Sequence, residues 1–139
     1  MKEYLTDDEI EYTCEVHSDG IIELAIRGNI NAKTILELST WSEQVKKTIR
    51  RMYNRNPKRV LTIMDCSDVG RVTVHCSGAL HDLLRHNKQY VTRTAIFGAN
   101  KFSMSVIEMA IHITRRNNIQ LFDSKEKALS WLSEIDNRK

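Results

Sequence analysis

Ile10, Tyr12, Cys14 and Val16 alternate with polar residues, and after His17-Ser18-Asp19-Gly20 a second apolar stretch runs from Ile21 to Ile26. A period of two predicts strands, and the Asp-Gly pair between them predicts a hairpin turn, because glycine accepts the positive φ such turns need. Gly28-Asn29-Ile30-Asn31 closes the second strand and offers Asn31 as a helix N-cap. The period then lengthens. Ile35, Leu38, Trp41, Val45, Ile49 and Met52 recur every three or four residues, which predicts one amphipathic helix from about Ala32 to Tyr53. Pro57, the only proline, keeps that helix from continuing. Val60 to Met64 is an unbroken apolar run, as expected of a central strand covered on both faces.

The alternation of short strands and helices continues to the end. Ala79, Leu80, Leu83 and Leu84 define a second helix, Thr94 to Phe97 a strand ending at Gly98, and Val106, Ile107, Ala110, Ile111 and Ile113 a third helix, from near Ser103 to near Asn117-Asn118. Ile119 to Phe122 reads as the last strand. Asp123-Ser124-Lys125-Glu126 has the form of a capping box opening a last helix with Ala128, Leu129, Leu132 and Ile135. The expected fold is α/β, a mixed, mostly parallel sheet of about five strands with four main helices in the order β-β-α-β-α-β-α-β-α. At 139 residues this fits one domain over 1–139, with residues 1–9 as a flexible acidic segment.

Three local segments stand out within that frame. Val60 to Met64 leads into Asp65-Cys66-Ser67-Asp68-Val69 and then His75-Cys76-Ser77-Gly78-Ala79-Leu80; Gly28 to Thr34 reads Gly-Asn-Ile-Asn-Ala-Lys-Thr; and Phe122 to Leu129 reads Phe-Asp-Ser-Lys-Glu-Lys-Ala-Leu. Together these resemble the STAS domain of anti-sigma-factor antagonists, across roughly Ile10 to Leu132. The family pattern has an Asp-Leu-Ser-like turn, an Asp-Ser-Ser-Gly-Leu helix start whose first serine is the phosphoacceptor, a Gly-x-Leu-Asp-x-x-Thr segment, and a Phe-x-Ser-x-Glu-x-Ala-Leu ending. Asp65 and Ser67 match the turn, and Ser77 and Gly78 match the second serine and the glycine. The resemblance implies a non-enzymatic regulator that binds a protein, such as an anti-sigma kinase-like partner, through Asn29, Asn31, His75, Cys76, Ser77 and Gly78.

This chain departs from the pattern where the switch would sit. His75 and Asn31 stand in place of aspartates, and Cys76 in place of the phosphorylated serine. A thiol is no substrate for an ordinary serine kinase, so the switch reads as lost while the binding scaffold remains; Ser77 is left as the candidate phosphoacceptor if the register shifts by one. A phosphate there would add nearly two negative charges at a helix start. Cys76 reads chiefly as a small packed residue, and as a redox sensor only if the helix start and His75 lower its pKa. The Ala128 to Leu132 ending is also similar to STAS-like proteins that share a topology with lipid-carrying domains. That likeness makes a small-molecule or lipid-binding module the alternative, with a cavity between the sheet and the helices of Leu83 and Ile107.

Composition narrows the classes further. With 41% apolar and 28% charged residues the chain reads as globular, and it shows neither a secretion-signal pattern nor an apolar run of membrane-spanning length, so a cytoplasmic location is expected. Cys14, Cys66 and Cys76 form no C-x-x-C pair. His75, His81 and His86 are not spaced as metal ligands on one helix face, and no nucleophile elbow or phosphate loop is present, so neither enzyme activity nor a cofactor or metal is expected. Net charge is +3, yet Lys46, Lys47, Arg50, Arg51, Arg55, Lys58 and Arg59 follow one another without an acid. That stretch, with Tyr53 to stack a base, makes nucleic acid a third partner class, set behind the other two because total charge is small and aromatics are few.

Overall fold

The computed structural model describes residues 9–73 and 76–137. The two opening strands are β1 (Ile10–Val16) and β2 (Ile22–Ile30), antiparallel with Ile10 opposite Gly28 and Val16 opposite Ile22. Helix α1 (Ile35–Arg55) follows, then β3 (Leu61–Asp65), a short β4 (Val69–Val72), α2 (Ser77–Asn87), β5 (Arg93–Phe97), α3 (Lys101–Thr114), β6 (Ile119–Phe122) and α4 (Lys125–Ser133), with a 3-10 turn at Glu134–Asn137. The sheet order is β1-β2-β3-β5-β6; β2, β3, β5 and β6 run parallel, and β4 pairs with the far end of β2.

The sheet thus has six strands, one more than the hydrophobic pattern predicts. Gly28 and Asn29 looked like the end of β2, but the strand passes through them with an irregularity between Gly28 and Ile30, and β4 supplies the ladder partner there. Four residues containing a glycine carry too little periodicity to be read as a strand. Pairing, not propensity, makes them one.

Strand alternation sorts the core into two clusters. Leu61, Ile63, Ala95 and Phe97 face α4, whose Ala128 and Leu132 are fully buried against them. Leu24, Ile26 and Ile96 face the other side, where α1 presents the predicted stripe of Leu38, Trp41, Val45 and Ile49. Trp41 also donates its indole N–H to the carbonyl of Thr13 at 2.9 Å, which ties α1 to the edge hairpin. On this face α2 packs between α1 and α3. Near Leu132, Trp131 covers the β5–β6 edge, its ring 5.7 Å from Phe122 and beneath the Arg93 guanidinium.

Two predicted caps are moved. Helix α1 starts at Ile35, and Asn31 is not its N-cap: residues 31–34 form a turn in which Asn31 Oδ1 accepts from Lys33 N at 2.9 Å. The buried Thr34 hydroxyl accepts from Asn31 N and donates to the Asn29 carbonyl, both at 3.0 Å. The side chain of Asn31 closes its own local turn before it reaches the helix. At α4 the cap is Ser124, which accepts from Lys127 N, and Asp123 instead pairs with the Lys127 ammonium.

Candidate functional site

Because β2, β3, β5 and β6 are parallel, and β4 is parallel to β2, helices α1 to α4 all begin at one edge of the sheet. Sites on open α/β sheets form at this carboxyl edge. The β3–β4 loop is fixed there from two sides. Asp65 Oδ1 accepts from Ser67 N at 2.8 Å, and Cys66 N donates to the Phe97 carbonyl at 2.9 Å. Gly98, with φ at 78°, presses so closely that a Cβ on it would stand 2.3 Å from Ser67 Oγ and 3.0 Å from the Ser67 backbone. Only glycine fits.

Asn29 and Asn100 hold β4 in place. Asn29 Oδ1 accepts from Arg71 N at 2.8 Å and lies where a Cβ on Gly70 would sit. Asn100 caps α3 through Ser103 N at 2.9 Å while its amide N–H groups reach the carbonyls of Val69 and Gly70. Asn29 and Asn31, expected as partner contacts, therefore have structural duties at the edge. Asn100 has one too, and its sequence signal was only that of a polar residue two positions past Gly98.

The remaining expected contacts lie around the start of α2. His75 falls outside the described residues. Cys76 is 3% exposed, with its side chain in the core cluster, so it presents no surface to a partner. Burial pushes its thiol pKa up, as it does for Cys14, and drives Cys66 up to about 12 with help from the Asp65 charge. A raised thiol pKa and burial both run against a redox-sensor role for Cys76. Ser77 is half-buried and Gly78 exposed. Among the described residues no heavy atom beyond its own neighbourhood lies within 4 Å of a Cβ built on Gly78, and its φ is not positive. The first turn of α2 has no acidic residue and no side-chain cap.

Two apolar side chains missed from the sequence flank this turn in the order of the helices. Leu36 in the first turn of α1 is 77% exposed, and Phe102 in the first turn of α3 is 74% exposed. Their legible signal was phase: Leu36 is apolar yet one step off the buried stripe of α1, and Phe102 precedes the third helix's buried positions.

Behind α2 lies an apolar cavity of about 100 Å³ between the sheet and α1, α2 and α3. Its wall includes Leu24, Trp41, Cys76, Leu83, Ser103 and Ile107. The cavity proposed between the sheet and the Leu83 and Ile107 helices thus exists.

The basic stretch is less free than its sequence suggests. Lys46 is buried and paired with Asp82 and with Glu43, the Asp82 hydrogen bond raising its pKa before all other causes. Arg50 lies 2.8 Å from His86 Nε2, and Arg59 binds Asp136 at 2.6 Å and the Asp19 carbonyl at 2.8 Å. Lys47, Arg51, Arg55 and Lys58 remain exposed. Tyr53 is half-buried and its ring makes a T-shaped pair with Tyr90 at 5.1 Å. Among the described residues no group of three or more His, Cys, Asp or Glu could hold a metal, and no helix is long and apolar enough to cross a membrane.

No protein-family model matches this chain, and no curated protein does. Solved structures do share its architecture. An uncharacterized protein from the DUF3478 family with a SpoIIAA-like fold, from Shewanella loihica PV-4, superposes with a TM-score of 0.61 at 17% identity, over 95% of this chain and 98% of that one. An anti-sigma factor antagonist from Mycobacterium paratuberculosis gives 0.58 at 19% identity, over 91% and 97%. The anti-sigma factor antagonist SpoIIAA in its unphosphorylated form gives 0.62 at 9% identity, over 93% and 99%. At identities this low the superpositions establish the fold alone: the chain has the SpoIIAA-like, STAS-type architecture that its sequence motifs resemble.

Proposed function

We propose that this chain is a non-enzymatic regulator that binds another protein at the helix-start edge, in the manner of an anti-sigma-factor antagonist, and that it has no serine switch at position 76. The observation that carries the reading is Gly78. Glycine has a lower helix propensity than alanine, and among the described residues neither backbone conformation nor crowding requires it here. An open backbone there suits close approach by a partner, with Leu36 and Phe102 as apolar flanks and the uncapped turn between them. The buried thiol of Cys76 supports loss of the phosphorylation switch, since a kinase needs an accessible hydroxyl. Ser77, half-buried beside it, is the remaining acceptor.

The test is capture from the source cell's lysate with tagged wild type, Phe102→Asp and Leu36→Asp, followed by mass spectrometry of the bound proteins and of Ser77. Retention of a kinase-like ATPase or sigma-regulatory protein by wild type, lost in both variants, is expected. Equal retention by all three forms would remove this edge from the interface, and phosphate on Ser77 that releases the partner would restore a switch.

The cavity favours a second reading, a small-molecule-binding module. At about 100 Å³ it is smaller than the engineered cavity of about 150 Å³ that takes up benzene, so it suits a compact molecule and not a lipid acyl chain.

A further inference from the structure

Every polar side chain buried in a core has to be paired or costs stability, and an exception marks a place where something else completes the pairing. Ser103, in the first turn of α3, is 2% exposed and lines the cavity, and its hydroxyl has no hydrogen-bond partner among the described residues. Its backbone N–H is already taken by the Asn100 side chain, so the capping of α3 does not need the hydroxyl. Of the other polar side chains on the wall, Thr62, Thr94 and Asn87 are engaged, and Ser42 is the remaining hydroxyl. Thr62 donates to Thr94 at 2.7 Å, and Asn87 Oδ1 lies 3.0 Å from His86 Nδ1. The rest of the wall is overwhelmingly apolar.

We infer that the cavity binds a compact aliphatic molecule bearing one hydroxyl, with Ser103 Oγ as its hydrogen-bonding anchor. The inference rests on the ligand-binding reading above and adds the ligand's chemistry to it. Size sets the carbon count: scaled from the cavity that holds benzene, this volume takes about four or five heavy atoms. The apolar wall rewards a branched hydrocarbon body, and it excludes a charged group, which would be desolvated with no opposite charge to meet it. A single hydroxyl gives Ser103 the partner it lacks, as either donor or acceptor. The wall also includes the half-buried Val72, Ala79 and Val106.

The probes are isobutanol and isopentane, which share one branched skeleton and differ by a hydroxyl in place of a methyl. Binding is read from the methyl resonances of Ile30, Leu83, Val106 and Ile107 during titration of wild type and Ser103→Ala. Removal of the serine oxygen leaves the alcohol's hydroxyl buried without a partner, so isobutanol is expected to bind about tenfold more weakly to the variant. Isopentane is expected to bind both forms alike and so reports an intact cavity in the variant. An isobutanol affinity that the variant leaves unchanged overturns the anchor while the cavity reading stands. If neither probe moves the methyls of wild type, the ligand-binding reading itself falls. A crystal of wild type soaked in isobutanol gives a check that needs no variant: the alcohol oxygen within hydrogen-bond distance of Ser103 Oγ supports the inference. A water held there, with the alcohol elsewhere, refutes it.

Discussion

Glycine-to-alanine substitution should change sign between two positions at the same sheet edge. At Gly78 the new methyl meets no heavy atom of the described residues within 4 Å and the backbone is not left-handed, so the variant gains helix propensity and loses unfolded-state entropy. The expected gain is about 0.5–1 kcal/mol, which for a chain of this size raises the melting temperature by about 2–3 °C. At Gly98 the methyl requires an L-residue at φ 78° and meets the Ser67 nitrogen and Cα, both at 3.0 Å, which a rotamer change does not relieve. The left-handed backbone costs about 1–2 kcal/mol, and the clash brings the loss to roughly 2–4 kcal/mol. Urea unfolding followed by circular dichroism, with both variants and wild type at one pH, measures the two effects; a common slope confirms that the unfolding reaction is the same. A destabilised Gly78→Ala would refute the reasoning, because it would mean that Gly78 is needed by the fold and its openness says nothing of a partner. A neutral Gly98→Ala would show that the two loops are not pressed together.

Two further outcomes follow from the electrostatics. Cys66 and Cys76, buried and with raised thiol pKa values, should react with a thiol reagent at pH 8 only at the rate of unfolding, whereas a fast reaction in the native state would contradict their burial. The Arg59 hydrogen bond holds the Asp136 carboxyl below its usual value, so the native state binds this proton less readily than the unfolded chain does. The contribution is complete above the unfolded carboxylate range and is lost as pH falls through the lowered folded pKa. Asp136→Asn should therefore flatten the fall in stability below about pH 4, and an identical acid limb in the variant would show that the pair does not matter.

The two periods in the sequence, near two and near 3.6, determined the element order, because each records how often one face of a strand or helix meets the core. Val60 to Ile63 and the stripe from Leu38 to Ile49 are buried as their patterns require, with Met64 half-buried at the end of the run. The motif around Asp65 to Gly78 likewise pointed to the helix-start edge before any fold was known. Tertiary structure decided what those patterns do not encode. Strand β4 exists because the far end of β2 needs a ladder partner, and Asn29 and Asn100 are committed to that edge by backbone groups up to 42 positions away. The same holds for charge: the run from Lys46 to Arg59 looks uniform in sequence, yet Asp82 and Asp136 reach its first and last members through the fold. Whether a side chain faces a partner or the core is likewise a matter of packing. Leu36 and Phe102 are apolar yet stand in solvent, while Cys76, just before α2, is buried. Local sequence sets periodicity and turn chemistry; pairing, burial and the cavity beside Ser103 arise only when distant segments share space.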